Sequence, residues 1–455
     1  MVVASQQPRR EIRNAPHFRV MLGSTTLRSG SRAGQRVEFA IDAAGSLNGH
    51  LILAGSSGSG KSHQLRRIVR ELGRAGVRVH LIDPHGDLHV DPDITDTRVF
   101  SEATQAGLNP LEVAADPDHG GPRRAAMTFV SLMLRQATLG EKQRSALLRL
   151  LLDLYARYGF EAGNVRSWSL DFDPRDWARA PKRQPVLADL RRDVYQKLVQ
   201  LKIGVPGSAA RVLEDVCKLS KKLSALKVRN LRGDDVEVAL DAAKRKFVET
   251  IGEAVNRVET GAEIEELIAW DSFDVVKGLY DRLETLEGSG LFKGQAPEFA
   301  ATRPVWRYDI SAISRNEQQF FVECLLGKLF AEAKARGEAR GPDTAIVLDE
   351  ASAFVDKHDE HILNILFREA RKFGVMVILA SQEIMTFPEA IVSSAASKMI
   401  LGVDDMYHAS LERRLALPKG KLKFIRPTRT ALVQTRRRAS DELELSAFFE
   451  VDIVG

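Results

Sequence analysis

The chain has few of the features that mark secreted, zinc-binding or membrane-spanning proteins. Its 455 residues include only two cysteines, Cys217 and Cys324, and neither has a histidine or cysteine neighbour at the spacing of metal ligands. This scarcity argues against a disulfide framework and a zinc site, and it favours a reducing cytoplasm. No run of about 18 apolar residues is present, so we expect no membrane insertion. The arginines near the N-terminus are not followed by an apolar segment, so we expect no signal peptide.

Signature motifs of several other enzyme classes are also missing. The sequence contains no His-x-His pair, no His-Glu-x-x-His motif and no Cys/His pair suited to nucleophilic catalysis. Any nuclease activity would therefore belong to a separate partner protein. The net charge of +5 is mild. It permits a polyanionic partner without requiring one.

One short segment is the strongest positive signal: a glycine-rich loop between an apolar run and an amphipathic helix. The pattern Gly-x-x-x-x-Gly-Lys-Ser is that of a P-loop, in which backbone N–H groups and the positive end of the helix dipole face phosphate oxygens. Lys61 can reach the β- and γ-phosphates, and Ser62 can offer its hydroxyl to Mg²⁺. We predict that the nucleotide is held by Gly55, Ser56, Ser57, Gly58, Ser59, Gly60, Lys61, Ser62 and His63.

A second apolar strand supplies the acids that such a loop needs. Residues 344–348 are followed directly by Asp349 and Glu350, and open α/β sheets bind ligands at the carboxyl ends of their parallel strands. Asp349 would hold Mg²⁺, and Glu350 would orient or deprotonate the attacking water. A pair of acids that merely starts a helix after the strand is compatible with the same role.

The strand that follows, 376–380, ends at Gln382. There the side-chain amide can sense the γ-phosphate, although an exposed polar strand end is the plainer alternative. Another strand, 77–82, ends at Asp83, which we therefore place on the same edge of the sheet as the P-loop.

Several separate motifs follow one another in an order that resembles the HerA/FtsK superfamily of RecA-like motor ATPases, nearer to HerA and the conjugative ATPases than to FtsK. The motifs are Asn48-Gly49-His50, the P-loop, Asp83-Pro84-His85-Gly86-Asp87, Leu108-Asn109-Pro110-Leu111, Leu348-Asp349-Glu350, Ala370-Arg371-Lys372-Phe373-Gly374-Val375 and Ala380-Ser381-Gln382. The resemblance covers roughly residues 46–115 and 300–435. It implies ATP and Mg²⁺ as cofactors, a ring that is usually a hexamer with ATP between its subunits, and DNA or sometimes protein moved through the pore.

In that family an arginine of the neighbouring subunit reaches the γ-phosphate, and the matching position here is Arg371. A planar guanidinium stabilises the charge that spreads over the γ-phosphoryl oxygens in the transition state. Arg413 and Arg414 are alternatives for this role. The plainer interpretation is that Arg371 only decorates a helix end, where cations suit the dipole.

The fold class predicted for the chain is α/β: a RecA-like P-loop core with a mostly parallel sheet, a large all-helical insertion and a short β-rich N-terminal segment. Residues 1–45 form that β segment, with strands at 18–22 and 36–41, a remnant of the fuller β-barrel of HerA-type proteins. Residues 46–115 and 301–435 form the two parts of the core. Residues 116–300 form the helical insertion, with core-facing apolar stripes, and residues 436–455 form a C-terminal tail.

A basic segment stands out within the insertion. Residues 182–232 contain thirteen Lys or Arg and four Asp or Glu. Such a cluster can bind a polyanion, because each phosphate contact releases counterions. A solvated helical face or a docking site for an acidic partner is the plainer interpretation.

The sequence therefore predicts a ring-forming, ATP-driven DNA translocase or helicase motor of HerA type, a homo-oligomer in the cytoplasm. We expect it to bind DNA and to work with a separate nuclease or effector protein, in DNA processing or antiviral defence against phage. Two alternatives stay open. One is an ATP-dependent scaffold ring that activates an effector, and the other is a peripheral ATPase of a conjugative or secretion apparatus.

Overall fold

A computed structural model describes residues 18–26, 34–41, 48–105, 107–137, 139–176, 180–203, 215–216, 218–225, 233–255, 272–439, 442–444 and 448–453. Its strands are β1 (Phe18–Thr25), β2 (Arg36–Ile41), β3 (Leu51–Gly55), β4 (Arg78–Asp83), β5 (Thr95–Val99), β6 (Val305–Asp309), β7 (Thr344–Leu348), β8 (Val375–Ser381), β9 (Ser397–Gly402), β10 (Thr430–Thr435), β11 (Arg437–Ala439), β12 (Glu442–Glu444) and β13 (Phe449–Ile453). Its α-helices are α1 (Lys61–Arg74), α2 (Pro122–Ala137), α3 (Glu141–Arg157), α4 (Leu187–Ile203), α5 (Asp234–Val255), α6 (Phe273–Gly288), α7 (Arg315–Arg336), α8 (Ile362–Glu369), α9 (Glu389–Ser394) and α10 (His408–Arg414). No described helix combines the length and the apolar character that crossing a bilayer requires.

Eleven of these strands form one sheet in the order β2-β1-β13-β10-β9-β3-β8-β7-β4-β6-β5. From β9 to β5 neighbouring strands run parallel. From β2 to β9 neighbouring strands run antiparallel. Every residue of β3, β7, β8 and β9 is buried, as expected where helices cover both faces of a parallel sheet. The predicted α/β fold with a mostly parallel sheet is confirmed.

The N-terminal strands are present, and they belong to the main sheet. Strands β1 and β2 pair with each other, and β1 continues into the sheet through β13. The segment predicted as a tail therefore contains a strand that lies between β1 and β10. Its alternation, with Val451 fully buried and Asp452 exposed, is typical of a strand with one face on the core.

Strand β6 has no counterpart among the strands predicted from the sequence. It lies between β4 and β5 in the sheet, yet its sequence Val-Trp-Arg-Tyr-Asp is not an apolar run. Arg307 in its centre is buried because it forms an ion pair with the buried Asp83 on β4, at 2.6 Å. A partner 224 residues away in sequence satisfies the charge, and no local pattern reveals it.

Contacts divide the described chain into two units: residues up to 108 together with those from 295 onward, and residues 109–294. The second unit contains helices α2 to α6 and, among its described residues, no strand. Its core includes apolar residues at helical spacing on α3 and α6, as expected for core-facing stripes, and all six are fully buried: Leu147, Leu151, Leu154, Val276, Leu279 and Leu283. The five domain segments given above remain a prediction.

The basic segment is less available to a polyanion than its composition indicates. Arg183 and Arg192 both pair with the buried carboxylate of Asp189, at 2.8 and 2.9 Å. Arg191 pairs with Glu287 on α6. Three of the thirteen basic residues of the segment are therefore paired within the helical unit, which removes part of the charge there. Lys221 and Lys222 are exposed, while five other basic residues of the segment lie outside the described residues or their side chains do: Lys202, Arg211, Lys227, Arg229 and Arg232.

Candidate nucleotide-binding and hydrolysis site

The glycine-rich loop has backbone angles that only glycine adopts easily. It leaves the end of β3 and enters α1, with Gly58 at φ 75° and Gly60 at φ 93°. A Cβ on Gly55 would lie 2.2 Å from Oγ of Ser59, so this position has no room for a side chain. The first turn of α1 contains no acidic residue. Its free N–H groups and its positive dipole end therefore face an anion without a competing carboxylate.

Two neighbouring segments hold the loop from one side. The amide of Ser56 donates to the carbonyl of Gly402 at the end of β9, at 3.1 Å. The amide of Thr428 donates to the carbonyl of Ser59 at 3.2 Å. Thr428 has φ 63°, a left-handed conformation that is rare for a β-branched residue.

The predicted acids meet the loop from the other side. Lys61 Nζ donates a hydrogen bond to Oε1 of Glu350 and lies 3.7 Å from Oδ1 of Asp349. Gln382 Nε2 donates to the same Oε1 of Glu350 at 3.1 Å. The side chains of Lys61 and Glu350 are only 8% and 14% exposed. Four of the predicted residues thus form one contact network at the carboxyl ends of β3, β7 and β8.

The two acids differ in their electrostatic environment. Burial raises the pKa of Asp349 above its usual value, and the nearby Lys61 offsets this only in part. Burial also acts to raise the pKa of Glu350, but hydrogen bonds from Lys61 and Gln382 outweigh it, so that its pKa lies below the usual value. Glu350 is therefore held as a carboxylate, the form that can accept a proton from water. Its backbone sits at φ 46°, which marks a strained position in the site.

The site fits a divalent cation. Oδ1 of Asp349 is buried and has no hydrogen-bond partner within the described residues, which is costly unless a ligand completes the site. Ser62 follows Lys61 as the second residue of α1, and it is half-buried. Carboxylate and hydroxyl oxygens are the ligands that Mg²⁺ prefers.

Asp83 lies at the tip of β4, on the predicted edge, but it has a structural task. Its carboxylate accepts hydrogen bonds from the amides of His85, Gly86 and Leu88, at 2.8 to 3.2 Å, and it pairs with Arg307. It therefore shapes the turn after β4 and has no oxygen left over for a metal.

The Asn48-Gly49-His50 motif likewise has a structural role in the described contacts. Asn48 Oδ1 accepts hydrogen bonds from the amides of His50 and Ala396. Nδ1 of the buried His50 accepts one from the amide of Val377 on β8, at 3.1 Å. Together these bonds tie the start of β3 to β8 and β9.

Arg371 lies at the opposite end of β8 from Gln382. It is exposed, in a short 3-10 turn before the strand. Since β8 has seven residues, a strand of that length separates the two by about 20 Å. Arg371 is therefore remote from the P-loop of its own chain. Of the two alternatives, Arg413 is exposed, whereas Arg414 donates to the backbone carbonyls of Ile384, Met385 and Phe387 and is occupied by that contact.

Comparison with known proteins gives one family and one shared fold. Residues 21–113 match the model of the family described as "Helicase HerA, central domain". VirB4 of Thermoanaerobacter pseudethanolicus has a similar structure, with 13% sequence identity, a TM-score of 0.60 and 98% of each chain covered. The plasmid coupling protein TrwB, solved with a non-hydrolysable ATP analogue, aligns with 13% identity and a TM-score of 0.49 over 89% of this chain and 85% of TrwB. No curated protein sequence matches the chain.

Proposed function

We propose that this protein hydrolyses ATP as a ring and uses the energy to move DNA. It is a P-loop ATPase of the HerA/FtsK-type superfamily, which the sequence motifs predict and the family match over residues 21–113 supports. The convergence of Lys61, Asp349, Glu350 and Gln382 on one point of the sheet edge carries the hydrolase part of this proposal. The order of the motifs and the HerA family match support the motor part.

The roles of the residues follow from their positions. The loop amides and Lys61 bind the phosphates, and Asp349 and Ser62 hold Mg²⁺, which would neutralise charge on the β- and γ-phosphate oxygens. Glu350 accepts a proton from water as the water oxygen bonds to the γ-phosphorus and the bond to the leaving ADP breaks. Gln382 orients Glu350 through its amide.

The contact between Lys61 and Glu350 implies an order of events. Phosphate oxygens offer Lys61 a stronger charge-assisted partner than a single carboxylate does. When ATP enters, Lys61 turns to the phosphates and Glu350 becomes available to water. The catalytic carboxylate is thus engaged until substrate arrives.

The position of Arg371 supports the proposal that the protein acts as a ring. It is exposed at the amino end of β8, far from its own P-loop. A guanidinium there is placed to reach the site of a neighbouring subunit, where it would stabilise charge on the γ-phosphoryl oxygens. The site of each subunit is then complete only in an oligomer, which we propose to be a hexamer.

A peripheral ATPase of a conjugative apparatus is the second candidate. The fold matches VirB4 over nearly the whole of both chains, the helical unit included. The pairing of Arg183, Arg191 and Arg192 within that unit also removes part of the charge that a DNA contact there would use. The scaffold ring that activates a separate nuclease or effector remains the third.

The rate of ATP hydrolysis with and without linear duplex DNA, on protein whose mass is measured in the presence of ATP, separates these candidates. We expect a ring whose turnover rises several-fold with DNA. A ring whose turnover ignores DNA would favour the conjugative or scaffold function, and co-purification with a protein encoded nearby would then tell these two apart. Absence of any Mg²⁺-dependent hydrolysis would refute the hydrolase itself.

A further inference from the structure

A tight turn at residues 426–429 touches the P-loop through Thr428, and the two arginines of this turn have no role in the site described so far. The amide of Arg429 donates to the carbonyl of Arg426 at 3.0 Å, which closes the turn. Pro427 occupies its second position and Thr428 its third. The left-handed φ of 63° at Thr428 is the conformation for which such turns use glycine or asparagine.

The turn is firmly built and pressed against the loop. Oγ1 of Thr430 accepts from the amide of Arg426 at 2.7 Å and donates to the carbonyl of Phe424 at 3.0 Å. The amide of Thr428 donates to Ser59, and its Cα and Cγ2 lie 3.7 Å from where a Cβ of Gly60 would be. A threonine is thus kept in a conformation it disfavours, at the point where the turn meets the P-loop. Outliers of this kind persist where the surroundings enforce them, often at ligand sites.

The turn also carries free positive charge. Arg426 and Arg429 are both exposed, and within the part of the chain that the structure describes neither guanidinium has a hydrogen bond or an ion pair. Two unpaired guanidinium groups beside a phosphate-binding loop suit an anionic ligand, since guanidinium binds phosphate bidentately.

The side from which the turn approaches indicates which end of the nucleotide it meets. Glu350 and Gln382 follow β7 and β8, on one side of β3, and they define the γ-phosphate end. The turn precedes β10, and β10 and β9 lie on the other side of β3. The P-loop leaves the end of β3, which lies between β8 and β9, so the phosphates it cradles lie between these two sides. We propose that residues 426–429 form the second wall of the nucleotide site, where Arg426 and Arg429 bind the α-phosphate and ribose and Thr428 positions them; this rests on the proposed nucleotide binding at the P-loop.

Equilibrium binding of ADP and of ATPγS, each with Mg²⁺, tests the proposal on the full-length protein. Arg426→Ala and Arg429→Ala should each weaken both ligands by about tenfold, and by the same factor, because the α-phosphate and ribose are common to the two. Arg429→Lys should restore part of the loss. Arg124→Ala removes another exposed arginine, on α2, and this control should bind like wild type.

Thr428→Gly separates a positioning role from a merely structural one. Glycine relieves the left-handed strain, so the melting temperature should rise while ADP affinity falls. Normal binding by wild type together with unchanged affinity in both arginine variants would overturn the second wall. A higher melting temperature with unchanged ADP affinity in Thr428→Gly would remove the positioning role. Failure of wild type to bind either ligand would refute the proposed function instead.

Discussion

Replacing Glu350 by glutamine should separate ATP binding from ATP hydrolysis in a quantitative way. The amide keeps the shape of the side chain and can still accept from Lys61, but it cannot take a proton from water. Loss of a general base lowers a rate by about 10²- to 10⁴-fold, so turnover should fall by at least about 10²-fold.

The affinity of Glu350→Gln for ATP should rise, although its turnover falls. In the free protein Lys61 is held by the Glu350 carboxylate, and both side chains are largely buried. A hydrogen bond between charged groups contributes about 1.5–3 kcal/mol, and a neutral partner roughly half of that. ATP must break this bond to engage Lys61. Glu350→Gln weakens the hydrogen bond that competes with ATP for Lys61 by about 1.4 kcal/mol, which corresponds to about tenfold tighter ATP binding.

Titration of the variant with ATP and Mg²⁺, and a steady-state assay of phosphate release, measure the two effects. Gln382→Ala is the matched control, because it removes the other hydrogen bond to Glu350 while the carboxylate stays. It should slow turnover less and leave ATP affinity within about threefold. Weaker ATP binding by Glu350→Gln, with an unchanged melting temperature, would refute the competition between Glu350 and the phosphates. Wild-type turnover would refute the catalytic role.

Three further predictions concern other residues of the same unit. Lys61→Ala should abolish ATP binding, seen as the loss of the thermal shift that ATP and Mg²⁺ give wild type. Arg371→Ala should lose turnover but bind ATP normally, and mixing it with Glu350→Gln subunits should restore part of the hydrolysis. Wherever the nucleotide site of an Arg371→Ala subunit faces a Glu350→Gln neighbour, an intact Glu350 meets an intact Arg371; mixed rings without activity would contradict a role across the interface. Burial, with help from the nearby charge of Arg436, lowers the pKa of Lys398 to about 7. The folded state therefore disfavours the charged form of Lys398. The free energy of unfolding should rise with pH from about 7 up to the pKa of lysine in the unfolded chain, near 10.4. Lys398→Met should remove this rise, measured as melting temperature against pH, and an unchanged slope would show that Lys398 is not its source.

The centre of the sheet could be predicted because its strands are buried on both faces. Strands β3, β7 and β8 are therefore short, mostly apolar runs, and the chemistry-bearing residues come soon after each of them. Burial of this kind leaves a local signal, and from this signal the sequence predicts Lys61, Glu350 and Gln382 at one edge of the sheet.

Elements stabilised by distant partners could not be predicted in this way. The charge in β6 is explained only by Asp83 on β4, and β13 becomes a strand because β1 and β10 lie on either side of it. The turn at 426–429 carries one local signal, a proline at its second position. The third position holds threonine, not the glycine that usually indicates a left-handed conformation, so the sequence does not predict it. Contact with the P-loop depends on tertiary structure.

Displacement of a triplex-forming oligonucleotide from linear duplex DNA tests the central claim most directly. A ring that moves along DNA should release the third strand in the presence of ATP and Mg²⁺, and the Glu350→Gln ring should bind the same DNA without releasing it. Rapid ATP hydrolysis by a wild-type ring that leaves the third strand in place would contradict a DNA motor.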